Sequence, residues 1–296
     1  MAQAGHTNDE SRYYVPHGSR LPFFGSIALF TLMAGAATTL NGVAPGSWVL
    51  GLGFLLLFTL FFLWFGEVIR ENQAGLYNEQ VDRSFRMGMM WFIFSEVMFF
   101  AAFFGALFYA RQLSIPWLGG EGAKAVTSLL WPDFDAGWPS NGPGDLGPRD
   151  DGTYEIIPAF GLPAINTALL LTSGLTITIA HHALKSGHRG ILKVFLALTF
   201  LLGFIFLGVQ VMEYGHAWHE LGLQLGTGIY GSTFFMLTGF HGLHVLVGAI
   251  MLTVIWLRCL AGHFTPRQHF AFEAVAWYWH FVDVVWLGLF IFVYWI

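Results

Sequence analysis

The sequence predicts an all-α integral membrane protein with seven transmembrane helices. Three observations carry that prediction. Only 10% of the 296 residues are charged, against about 25% in soluble domains, while 55% are hydrophobic and 18% aromatic. Seven stretches are apolar over roughly 20 residues or more, the length that crosses a bilayer core at about 1.5 Å per residue. The basic residues also gather on one side of the alternating connections, as they do in multi-pass proteins.

Taken in order, residues 1–20 are polar and lack the apolar core and small-residue cleavage site of a secretory signal, so the first span is expected to insert itself. The predicted spans are 21–40, 49–69, 87–109, 162–184, 191–214, 231–257 and 272–295. The short turn NGVAPGS makes the first two an antiparallel hairpin over 21–69. The other five form a bundle over 87–296, and the chain is expected to be a single membrane domain. Glycines inside the spans, Gly53, Gly174, Gly203 and Gly248 among them, permit close helix approach. Arg12, Arg20, Arg70, Arg83, Arg86, Lys185, Arg189, Lys193, Arg258 and Arg267 fall on one side; Arg111, Lys124 and Arg149 fall on the other. This places the amino terminus in the cytoplasm and the carboxyl terminus outside. The long outer connection, about 111–157, is acidic and rich in Pro and Gly, and is expected to be an irregular surface cap. Its charge would steer a basic soluble partner; the plainer reading is a solvated loop.

The third span sets the chemical problem. MGMMWFIFSEVMFFAAFFGALFY carries one carboxylic acid, Glu96, near its centre, with Phe92, Ile93, Phe99, Phe100 and Phe103 around it at helical spacing. Desolvation disfavours an ionised carboxylate, so Glu96 is expected to be a neutral acid facing protein or bound lipid. Either it serves function, or it only joins two helices by a hydrogen bond.

Composition excludes several classes. A net charge of −5 argues against nucleic acid as a partner. The single cysteine, Cys259, leaves no intrachain disulfide, no thiolate pair for dinuclear copper and no ligand set for an iron–sulfur cluster.

Other polar residues lie at depth. Glu67 and Arg70 are three apart at the end of the second span and can pair. An arginine there is either an interfacial anchor or a bidentate grip for a lipid phosphate. His241 and His244 share a helix face in TGFHGLHV; this spacing suits a metal or haem iron only with a fuller ligand set, and interhelical hydrogen bonding is the commoner use. In the seventh span Glu273, His280 and Asp283 are buried by prediction, and His280 and Asp283, three apart, can pair with each other. The crowd His181, His182, Lys185, His188 and Arg189 is taken as part of the topology signal. No catalytic residue and no resident metal is expected.

WFIFSEVMFFAAFF around Glu96, AHHALKSG, YGSTFFMLTGFHGLHVLVG and FEAVAWYWHFVDVVW closely resemble subunit III of the haem–copper cytochrome c oxidases, over essentially the whole chain from PHGSRLPF to the final YW. Relatives in quinol oxidases lack the first two helices, so the hairpin favours the cytochrome c branch. The resemblance implies a two-helix hairpin and a five-helix bundle separated by a cleft filled with structural phospholipid. It also implies a chain without haem or copper, docked on the catalytic subunit I beside subunit II, which hold the metals. The expected role is to stabilise subunit I and sustain proton uptake in a bacterial plasma membrane. Glu96 matches the family's buried acid that reacts with hydrophobic carbodiimides; Trp64, Glu67 and Arg70 match positions that hold lipid. One departure is Tyr77, where relatives often carry histidine, which puts a lipid contact at that residue in doubt. A different class, a self-contained proton-coupled carrier, would use Glu96, Asp283 and the histidines as a relay. The almost wholly apolar helix around Glu96 argues against it.

Overall fold

The structure is a computed structural model describing residues 14–15, 18–144 and 153–296. Arg12 and Arg149, used above for topology, lie outside the described residues, as do Asp145, Asp150 and Asp151 of the acidic outer connection. All regular structure among the described residues is helical. The long helices are α1 (Leu21–Leu40), α2 (Gly46–Gln73) and α3 (Glu79–Tyr109), then, after the short α4 (Ile115–Leu118), α5 (Leu162–Lys185), α6 (Arg189–His219), α7 (Gly228–Leu260) and α8 (Phe270–Leu289). Seven helical stretches are long and apolar enough to cross a membrane. They extend beyond the apolar runs read from the sequence because polar ends, such as Glu79–Arg86 on α3, continue the helix without being hydrophobic. Prolines at the first turn open α1 and α5, where a missing N–H costs nothing.

The chain divides into two compact units, Met1–Met87 and Gly88–Ile296. In the first, α1 buries only Gly25, Ala28, Leu32 and Gly35, a narrow seam at alternating spacings of three and four. It packs on α2 through glycine: a Cβ on Gly53 would come within 2.5 Å of Leu32 Cα. The other faces expose Phe23, Phe30, Phe58 and Phe62, which suits lipid rather than water.

In the second unit, α5, α6, α7 and α8 contact one another in a closed ring. The carboxyl-terminal part of α3 reaches α7 and α8 through side chains, with Phe99 edge-on to Phe240 and Phe100 tilted against Phe281. Trp279 of α8 is the centre of this packing. It is fully buried, its indole N–H donates to Ser173 Oγ of α5 at 2.8 Å, and its ring fills the space beside Gly203 of α6 and Gly248 of α7. Trp286 repeats the arrangement two turns on, donating to Thr167 Oγ1 and meeting the Phe206 ring edge-on at 4.7 Å.

The outer connection is less irregular than expected. A π-helical turn (Ala110–Ser114) continues α3 into α4, and a 3-10 stretch covers Gly122–Leu130. It is fastened to the start of α7: Tyr230 N–H donates to Ser140 O, and the Tyr154 ring stacks on Tyr230 at 5.7 Å. Burial pushes the Tyr154 hydroxyl up to about 12. The composition of this segment reports turns, and it misses tertiary anchoring by aromatic rings.

Candidate functional site

Glu96 stands near the centre of its span with its side chain about one-fifth exposed, and its partner comes from a helix 148 residues away. Its Oε2 lies 2.9 Å from Nε2 of His244 on α7. The other imidazole nitrogen, Nδ1, is 2.6 Å from the carbonyl oxygen of Phe240. A carbonyl only accepts, so Nδ1 carries a hydrogen and donates it. One proton then remains for the line between Nε2 and Oε2. With a neutral ring, Glu96 is the acid and its O–H donates to Nε2; with a charged ring, Nε2–H donates to a carboxylate. Both arrangements carry zero net charge, the condition for placing two ionisable groups at this depth. Phe99 and Phe100 lie against the imidazole at 5.8 and 4.9 Å, and Tyr278 stacks on it at 6.4 Å. The aromatic surroundings read from α3 are therefore present, and the polar partner supplied by α7 corrects the picture of a lone acid among rings.

The second pair lies along α8. His280 Nδ1 is 3.6 Å from Asp283 Oδ2; Asp283 is buried as expected, whereas the His280 side chain is 46% exposed, which corrects the expectation that the span buries it. Thr178 of α5 donates its hydroxyl hydrogen to Gly174 O, so its oxygen is free to accept from His280 Nε2–H, 3.4 Å away. His241 is fully buried and donates Nε2–H to Val282 O at 3.1 Å. His241 and His244 thus share a helix face without sharing a ligand: one is committed to α8, the other to Glu96. Among the described residues no side-chain hydrogen bond joins the Glu96–His244 pair to the His280–Asp283 pair.

Two buried groups escaped sequence reasoning. Glu213 of α6 has no exposed surface and accepts the hydroxyl hydrogen of Tyr294 at 2.6 Å. The acid ends an apolar run before a polar YGHAWH segment, so it resembled an interfacial residue. Tyr294→Phe is expected to cost about 1–3 kcal/mol by leaving Glu213 without a donor. A thermal melt of the purified protein unchanged by this substitution would contradict that.

The other group is a cluster of metal-ligating type. His181 Nε2 and His269 Nε2 approach Glu273 Oε1 at 3.5 and 3.2 Å, and the three ligand atoms lie within 4.8 Å of one another. His269 Nδ1–H donates to Thr265 O, which turns its Nε2 toward the carboxylate. Two imidazoles and one carboxylate can hold a divalent cation. Sequence reads the His181 crowd only as a topology signal, because the partner Glu273 is about 90 residues distant.

In the first unit the Glu67–Arg70 ion pair that spacing allows is not formed among the described residues. Arg70 folds back along its own helix, Nε donating to Gly66 O at 3.4 Å, which takes the guanidinium away from Glu67. The carboxylate that is held is Glu71, which accepts from Tyr77 at 2.6 Å and from Tyr14 at 3.3 Å. Burial and the Glu71 carboxylate raise both tyrosine hydroxyls above their ordinary range. Trp64 and Arg70 remain exposed, and no carboxylate among the described residues pairs with Arg70.

Seven helices long and apolar enough to cross a membrane, with Glu96 beside His244 and His280 beside Asp283 within them, define a multi-pass membrane protein. The model of the family "Cytochrome c oxidase subunit III" matches residues 11–124 and 126–296, and the chain belongs to that family. Cytochrome c oxidase subunit 3 of Carassius auratus is 40% identical over 284 residues, 96% of each chain. The same subunit of Struthio camelus is 38% identical over 296 residues, covering 100% of this chain and 99% of the relative. The family is that of a subunit of a respiratory oxidase complex.

Proposed function

We propose that this chain is a non-redox accessory subunit of a proton-pumping cytochrome c oxidase, docked on subunit I in a complex with subunit II. It binds structural phospholipid, stabilises subunit I and supports proton uptake there; haem and copper reside in the partner subunits. Trp64, Glu67 and Arg70 are the proposed lipid contacts. The proposed location is a bacterial plasma (inner) membrane, amino terminus cytoplasmic, an orientation supported by the basic residues gathered on that side.

The observation that carries this reading is the enclosure of the Glu96–His244 pair. A proton held between two groups, capped by Phe99, Phe100 and Tyr278 and with no side-chain hydrogen bond onward to His280 or Asp283, suits a rigid joint better than a conduit. His244 Nδ1 is held by Phe240 O, so iron could take only its Nε2 and would displace Glu96 from it.

The test is endurance. Oxidase prepared without this chain should start near the normal rate and lose activity progressively during turnover, while Glu96→Gln, whose amide can donate to His244 Nε2, should leave assembly and electron transfer largely intact. Unchanged endurance without the chain would refute the accessory role. Proton uptake by vesicles holding the purified chain alone would favour the rival carrier.

A further inference from the structure

The end of α5 and the start of α8 bring three ligating atoms to one point. His181 lies one turn before the last residue of α5, His269 immediately precedes α8, and Glu273 is in the first turn of α8. Glu273 Oε1 is 3.5 Å from His181 Nε2 and 3.2 Å from His269 Nε2, and the three atoms all lie within 4.8 Å of one another. Two ligand atoms each about 2.1 Å from a tetrahedrally bound ion stand about 3.4 Å apart. Both separations to the carboxylate are therefore those of neighbouring ligands on one ion.

Protons alone leave this arrangement unsatisfied. His269 Nδ1–H donates to Thr265 O at 3.2 Å, so Nε2 faces the carboxylate either with a lone pair or, on a charged ring, with a hydrogen. A hydrogen there serves Glu273 Oε1 and does nothing for His181, whose Nε2 is buried with no hydrogen-bond partner among the described residues. A buried polar atom left so is costly, and a cation shared by all three lone pairs removes the cost. The bond from His269 Nδ1 to a backbone carbonyl is also the support that metal-bound imidazoles ordinarily have, since it fixes the ring with Nε2 as the ligating atom.

We propose that His181, His269 and Glu273 form a zinc site that clasps α5 to the start of α8. Two imidazoles and one carboxylate suit zinc better than magnesium or calcium, which take shells of oxygen. The His181 side chain is 23% exposed and that of Glu273 12%, so water reaches the site and can fill a fourth position. The ring of buried Phe272 lies against the His181 imidazole at 5.5 Å and helps to hold it in place. Lys185, one turn beyond His181, is exposed, so solvent screens its charge from the ion. Zinc has no redox chemistry, and the site gives the chain a structural ion without giving it an electron carrier. It shares no residue with Glu96, His244, Trp64, Glu67 or Arg70, so it and the proposed function can fail separately.

The test uses the intact complex in mild detergent, as wild type, as the His181→Gln/His269→Gln double variant, and with exposed His263→Gln as control. Each is equilibrated with Zn²⁺, freed of unbound metal by gel filtration and analysed for zinc by elemental mass spectrometry. Zinc held by other chains cancels in the comparison. Wild type and control are expected to retain about one zinc ion per complex more than the double variant, and Zn²⁺ is expected to raise their thermal midpoint but not that of the double variant. Equal zinc in wild type and double variant would overturn the proposal. If the double variant does not assemble, the wild type answers alone through labelling of its histidines by diethyl pyrocarbonate, read by peptide mass spectrometry. Zn²⁺ is expected to protect His181 and His269 about tenfold or more and to leave His263 unprotected; labelling of all three that Zn²⁺ does not change would overturn the site. Failure of the chain to copurify with an oxidase bears on the proposed function, and the same measurements are then made on the full chain alone.

Discussion

Trp279→Ala is expected to cost about 3–5 kcal/mol, seen as a large fall in the thermal midpoint of the purified protein in detergent. The indole is fully buried and touches all three neighbouring helices, at Ser173 of α5, Gly203 of α6 and Gly248 of α7. In hydrocarbon, apolar surface gains nothing by leaving lipid for protein, so helix association rests on shape and hydrogen bonds, and a cavity here removes both. Filling the slot from the other side should also hurt. A Cβ on Gly203 would come within 2.6 Å of Trp279 Cη2, so Gly203→Leu is expected to cost roughly 1–3 kcal/mol by overpacking. A Trp279→Ala protein that melts with wild type would show that the ring of α5 to α8 is held by something else.

The second large effect is expected at the acid–imidazole pair. His244→Leu strands Glu96, which then has no hydrogen-bonding partner from α7, and should cost about 3 kcal/mol, the scale for a buried polar pair broken on one side. Replacing both groups removes the unmet demand, so Glu96→Leu/His244→Leu should recover most of that loss. The signature is the sign of the coupling, with the double variant more stable than His244→Leu alone. Additive losses in thermal melts would mean that the two groups do not depend on each other. Infrared difference spectra of Glu96→Gln would show which partner holds the proton, through loss of a carboxylic-acid carbonyl band or of a carboxylate band.

Much of this was legible in the chain. The helices followed from hydrophobic length, because a bilayer core admits few other backbones, and α1 is where the first apolar run put it. Glu96 stood out because an acid in an apolar run is conspicuous whatever it touches. His280 and Asp283, three apart on one helix, were legible as neighbours for the same local reason. The outer connection was not, since its anchoring to Tyr230 depends on rings far apart in sequence.

Sequence alone determined the class of protein, the seven spans and the family, since each is written in local composition or in long contiguous motifs. Tertiary structure decided which polar groups meet. Glu96 with His244, Glu213 with Tyr294, His181 with Glu273, and Arg189 with Phe264 join residues on different elements. His269, the residue that precedes α8, reaches Glu273 four residues on by a local contact. Helical spacing fixes which neighbours a residue has on its own helix; only the packing of one helix on another fixes the partner across the gap.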